Sequence, residues 1–200
     1  MRRWLSNSIE SIRTMLRYSG KSEMVRRYFF TNGFDGAISM LGVIMGLGLL
    51  GNVENFIVVT AGLGAALGMF VSGFMGTYVT ESAESEKRMR ELREVLLTDV
   101  SNTVFDEAGR IGALVAGLLQ GSGSLVFSVC VLSPYIASLF VGGLGAYSLP
   151  LSVTLGLVVL FLLGMLLGRM TRQRVVLTGI KMATAGVATA LILILIDWLL

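Results

Sequence analysis

The stretch Phe29-Phe30-Thr31-Asn32-Gly33-Phe34-Asp35-Gly36-Ala37-Ile38-Ser39-Met40-Leu41-Gly42-Val43-Ile44-Met45-Gly46-Leu47-Gly48-Leu49-Leu50 contains a single ionisable side chain, Asp35. About 20 mostly apolar residues cross the hydrocarbon core of a bilayer as a helix, so this run reads as a membrane span with a carboxylate near its start. A carboxylate inside such a helix costs roughly 3 kcal/mol unless something pairs with it. Asp35 is therefore either a site for a proton, a cation or a substrate, or a residue at the interface solvated by headgroups.

The rest of the chain agrees with a membrane protein. Of its 200 residues, 54% are hydrophobic and 14% charged, against roughly 25% charged in soluble domains. Five runs are long enough to span: Phe29–Gly51, Phe56–Val79, Ile111–Leu132, Leu149–Met170 and Thr178–Trp198. They are too long and too continuously apolar for barrel strands. The expected fold is an all-α integral membrane protein of one five-span domain, residues 29–200, preceded by a polar and basic segment, residues 1–28.

Charge placement predicts the topology. Arg2, Arg3, Arg13, Arg17, Lys21, Arg26 and Arg27 precede the first span; Lys87, Arg88, Arg90, Arg93 and Arg110 lie between spans two and three; Arg169, Arg172, Arg174 and Lys181 lie between spans four and five or just inside the fifth. The other connections and the C-terminal end carry no Lys or Arg. The positive-inside rule puts the N-terminus in the cytosol and the C-terminus outside, in a multi-pass protein of the cell membrane, or of an organelle membrane in a eukaryote. Topology accounts for the net charge of +3 without a nucleic-acid partner.

There is no His, and the single Cys, Cys130, lies within the third span. This excludes a disulfide framework and leaves carboxylates, carbonyls, hydroxyls and Met thioethers as metal ligands. The first 28 residues have no continuous apolar core, so they do not read as a cleavable signal. Within them Leu5, Ile9, Ile12 and Leu16 share one helical face, as in an amphipathic helix on the membrane surface; docking to a partner is the other reading.

In the first span Asp35, Ser39, Gly42 and Gly46 step by four, three and four. Small-xxx-small pairs such as Gly42/Gly46, Gly64/Gly68, Gly117/Gly121 and Gly164/Gly168 let helices approach closely in lipid. Packing alone accounts for the last three pairs; the first shares its face with a carboxylate and fits a narrow polar path. Span two continues without Pro or Gly from Thr77 to Ala108 and reads as a helix projecting into the cytosol, with a short acidic insertion at about residues 80–109. On it Glu84, Glu91 and Glu94 share a face, followed by Asp99, Asp106 and Glu107. These acids either draw cations or form a solvated face of i,i+4 pairs. In span three, Gln120-Gly121-Ser122-Gly123-Ser124 is a polar interruption, read as loose packing or as cavity lining. Pro134-Tyr135 marks that span's outer end or a break in it, and Gly142-Gly143-Leu144-Gly145-Ala146 reads as an external turn.

Three features resemble the vacuolar iron transporter family. Asn32-Gly33-Phe34-Asp35-Gly36-Ala37-Ile38-Ser39 is similar to its Asn-Asp-Gly-x-x-Ser stretch. Ala61-Gly62-Leu63-Gly64-Ala65-Ala66 leading to Gly76-Thr77-Tyr78-Val79-Thr80 is similar to its second span and Gly-Glu-Tyr-Val-Ser exit. The acidic helix after span two is the third feature. The resemblance covers the chain from about Phe29 onward. It implies a homodimeric, proton-coupled exporter of Fe²⁺ or Mn²⁺ from the cytosol, with no resident cofactor and with the path along span one between the two copies. It implies Asp35 as the carboxylate in the path and Ser39 facing the partner subunit. Glu84, Glu91, Glu94, Asp106 and Glu107 would collect metal. The chain departs from the family pattern at Gly73, where the family has Met, and at Thr77, where it has Glu. Met69 and Met75 stand near the first departure as replacement thioethers. The acidic region is also shorter than in the iron-storing relatives. Two rivals belong to other classes. A non-transporting scaffold or assembly factor would hold Asp35 structurally paired. A membrane enzyme lacks His, a usable Cys and ionisable groups gathered at one depth.

Overall fold

The computed structural model describes residues 22–49, 51, 53–96, 104–141 and 143–199. The expected surface helix around Trp4–Leu16 lies outside them, as does Asp99. Five helices carry the fold: α1 (Ser22–Leu49), α2 (Asn55–Leu96), α3 (Val104–Ser138), α4 (Ser148–Met170) and α5 (Val175–Leu199). A 3₁₀ turn, Gly145–Tyr147, leads into α4. All five are long and apolar enough to cross a membrane.

Helix α1 has two unlike faces. Ala37, Met40, Leu41 and Ile44 are at most 2% exposed and recur at the three- and four-residue spacing of one helical stripe. They meet Val131 and Leu132 of α3, and Val159, Leu160 and Leu163 of α4, in one apolar cluster. In lipid this cluster is held by close packing and interhelical hydrogen bonds, because hydrocarbon outside is as apolar as the core. The opposite face carries Asp35 and Ser39, both exposed, and Gly42 and Gly46, where an added β-carbon would meet nothing within 4 Å.

Glycine sets the helix crossings. A β-carbon on Gly36 of α1 would stand 2.5 Å from the Ser124 carbonyl oxygen of α3. One on Gly117 or Gly121 of α3 would stand 2.8 or 2.6 Å from the carbonyls of Phe74 or Phe70 on α2. The polar stretch of span three is thus tight packing rather than loose. Gly164 of α4 meets Gly179 of α5 in the same way, 2.7 Å from its Cα. The Gly64/Gly68 pair, by contrast, is open.

Two helices, α1 and α3, exceed their expected bounds, while α2 continues past its apolar run as expected. Helix α1 begins at Ser22, so residues 22–28 continue the first span instead of belonging to a separate surface element. Helix α2 runs unbroken for 42 residues, about 63 Å, and so projects beyond its apolar part. Helix α3 passes through Pro134 to Ser138. Proline has no N–H to offer the Cys130 carbonyl one turn back, and the Ser133 hydroxyl donates to that carbonyl instead, at 2.7 Å.

The turn from α4 to α5 closes with the Thr171 N–H on Leu167 O and the Gln173 N–H on Gly168 O, both 2.9 Å. Arg172 between them has φ 56°. This is the left-handed closure in which glycine is usual.

Candidate functional site

Helices α1 and α2 each rest on α3 and touch one another much less. The glycine crossings dictate this, since they pull each helix onto the backbone of α3. What remains between α1 and α2 is a groove of about 740 Å³ with α3 as its floor. Tyr28, Asn32 and Asp35 line it from α1, at steps of four and three. From α2 it receives one continuous face, Ala65, Gly68/Met69, Ser72/Gly73, Gly76/Thr77 and Thr80/Glu81. Sixteen residues of helix correspond to about 24 Å, most of the roughly 30 Å of hydrocarbon thickness.

The floor is polar. Asn32 Nδ2 donates to the Gln120 carbonyl at 2.7 Å, and both Gln120 and Ser124 reach the groove. The polar stretch of span three therefore combines close contact with cavity lining. Gly73 has its reason here: a β-carbon on it would stand 2.7 Å from Asn32 Nδ2. Its missing side chain leaves room for Asn32 to cross to α3.

Asp35 opens into this groove. Among the described residues no hydrogen bond or ion pair engages it. Met69 lines the same groove. Met75 does not: it is 51% exposed, and six residues turn it by about 240° from Met69, away from the groove. Met75 therefore does not reach the groove that Met69 lines. Ser39 lies one turn past Asp35 on the open face and does not line the groove.

Among the described residues, the acids of the α2 extension and early α3 are not gathered into one site. Glu84 bonds to Arg88, Glu91 lies 3.9 Å from Lys87, and Asp106 lies 3.6 Å from Arg110, each an i,i+4 pair. Arg90 donates to Glu86 at 2.6 Å and holds that carboxyl below the ordinary glutamate range. Glu94 and Glu107 are exposed. Among the described residues no three His, Cys, Asp or Glu side chains come together as a metal cluster. Among the described residues, Glu84, Glu91 and Asp106 thus have a counter-ion on their own helix, which fits a solvated face.

The residue absent from the sequence reading is Glu81. It is 2% exposed, among the most buried side chains of the protein, and it lines the groove. Tyr28 Oη donates to its Oε1 at 3.0 Å. Its signal was available: Met69, Gly73, Thr77 and Glu81 step by four along one face. Grouping Glu84, Glu91 and Glu94 selected a different face of the same helix.

No protein-family model matches the chain. It is similar to an uncharacterized protein of Methanocaldococcus jannaschii, with 25% identity over 175 residues, covering 86% of this chain and 87% of that protein.

Proposed function

We propose that this protein exports a divalent metal ion, Fe²⁺ or Mn²⁺, from the cytosol in exchange for protons, as a homodimer with its path along α1. The observation that carries the reading is the groove between α1 and α2 into which Asp35 opens without a partner among the described residues. An unanswered carboxylate in a membrane helix marks an ion or proton pathway by default. Its neighbours on the groove wall are oxygen donors and the Met69 thioether, a set suited to borderline-hard divalent ions.

One carboxylate balances half the charge of such an ion, and a second copy supplies the other half. The open faces at Gly42 and Gly46 favour that pairing, since glycine permits close approach of two helices in lipid. The distribution of Lys and Arg supports a cytosolic N-terminus, with the α2 extension on the cytosolic side.

Uptake into proteoliposomes tests the reading, with Fe²⁺, Mn²⁺, Co²⁺ and Zn²⁺ offered with and without a pH gradient. Gradient-dependent accumulation of Fe²⁺ or Mn²⁺ is the expected result. Absence of accumulation of all four ions would remove it.

A further inference from the structure

We infer that the side-chain oxygen of Asn32 is a metal ligand beside Asp35, and that the contacts of Asn32 with Gln120 and Gly73 aim it. The inference rests on the transport reading for its purpose, but on its own geometry for its content.

Asn32 and Asp35 stand three residues apart on α1, and both line the groove. Side chains at this spacing are neighbours on a helix, with β-carbons about 5–6 Å apart. A carboxylate and an amide oxygen at that separation reach one ion at the roughly 2.0–2.6 Å of metal–oxygen bonds. An Asn side chain ends in a donor nitrogen and an acceptor oxygen. The nitrogen is engaged, since Nδ2 donates to the Gln120 carbonyl at 2.7 Å. Turned over, the amide would set Oδ1 against that carbonyl, acceptor against acceptor. The bond to α3 therefore fixes the orientation, and no donor among the described residues engages Oδ1. Gly73 closes the other side: a β-carbon there would stand 2.7 Å from Nδ2. The amide is thus held between α2 and α3.

The groove floor repeats the device. Ser124 lines the groove and is 1% exposed. Its hydroxyl donates to the Gly121 carbonyl at 2.8 Å, so Oγ offers a cation lone pairs alone. Gly36, next to Asp35, rests on the Ser124 backbone, which puts Asp35 and Ser124 at similar depth. Both neutral groups spend a hydrogen on a carbonyl of α3. One carboxylate with neutral oxygens suits a hard or borderline divalent cation. Asp35 is the one titrating member of the three, so a proton arriving there removes the whole charge of the set.

Mn²⁺ binding tests this. The full chain in nanodiscs is titrated with Mn²⁺, and free ion is followed by its electron paramagnetic resonance signal. Asn32→Ala should weaken binding roughly tenfold. Gly73→Ala keeps every ligand atom but pushes the amide aside. It should also weaken binding about tenfold, the cost of disturbing a ligand's support. In an Asp35→Asn background neither change should add much, because the groups serve one ion. Asn32→Cys, in a Cys130→Ser background, replaces oxygen by sulfur. It should weaken Mn²⁺ binding yet tighten Cd²⁺ binding relative to Cys130→Ser alone, with a cadmium–thiolate absorption band. A merely structural Asn32 gives no such exchange of preference.

Wild-type Mn²⁺ affinity in Asn32→Ala or in Gly73→Ala overturns the inference. So does absence of Mn²⁺ binding by the wild-type chain, an Asn32→Ala effect undiminished in the Asp35→Asn background, or Asn32→Cys without gain for Cd²⁺. Should Asn32→Ala fail to fold, the Cys variant decides. Proteoliposome uptake by the same variants separates the two readings. Wild-type uptake with Mn²⁺ binding indifferent to Asn32 removes the ligand and leaves transport. A binding series as expected, without uptake, does the reverse.

Discussion

Asn32 Nδ2 and the Gln120 carbonyl oxygen stand 2.7 Å apart across the α1–α3 contact, and that bond requires residue 73 to have no side chain. Gly73→Met would push a side chain into the position of Asn32 Nδ2. Interhelical hydrogen bonds in membranes contribute about 0.6–2 kcal/mol. The variant should lose about that much stability, with Asn32→Ala reproducing most of the loss. Thermal melting of the detergent-purified variants measures both.

Asp35→Asn should abolish metal uptake while leaving the melting temperature nearly unchanged. The substitution keeps the shape of the side chain and removes its charge, and no hydrogen bond or ion pair among the described residues depends on that charge. Proteoliposome uptake is the measurement; a wild-type rate would take Asp35 out of the path.

Gly36 and Gly42 lie six residues apart on α1 and should respond oppositely to Leu. Gly36→Leu drives a side chain into the Ser124 backbone and should prevent folding, since overpacking of this kind costs about 1–3 kcal/mol or more. Gly42→Leu meets nothing within its own chain and should leave the monomer folded but weaken the homodimer. Light scattering after size exclusion reads the mass. Disulfide crosslinking through Ser39→Cys, in a Cys130→Ser background, reads the contact face.

Replacing Glu84, Glu91 and Glu94 together by Gln should raise the metal concentration for half-maximal uptake less than about twofold at physiological salt, with an unchanged maximal rate. Exposed charges act through a field that is screened within about 8 Å at that ionic strength. Arg88 and Lys87 already answer two of the three carboxylates. An uptake titration at low and at physiological salt tests this, because the effect should shrink as salt rises.

The five helices were legible from apolar length alone, and α4 differs from its expected start by one residue. The misjudged ends share a cause. Apolar run length reports the bilayer, whereas helix length is set by backbone hydrogen bonding. That bonding continues through polar Ser22–Tyr28 and past Pro134 with help from Ser133, whereas the continuation of α2 through Thr80–Leu96 was legible from the absence of Pro and Gly. The stripe containing Asp35 was visible as a period in one helix. The period that carries Glu81 was equally visible, but its contact with Tyr28, and that of Asn32 with Gln120, were not, because those partners stand on other helices. Nothing in a single sequence says that α1 and α2 part around a floor of α3.

The turn at Arg172 carries a consequence for lipid composition. An arginine in the left-handed region costs about 1 kcal/mol that glycine would not. A basic side chain close to anionic headgroups gains about 1 kcal/mol. The two contributions are of similar size and opposite in sign, so the stability of the α4–α5 connection should follow the charge of the bilayer around it. Arg172→Gly should raise the melting temperature in purely zwitterionic nanodiscs and lose that advantage in anionic ones, so that a strained backbone angle becomes a reporter of membrane surface charge.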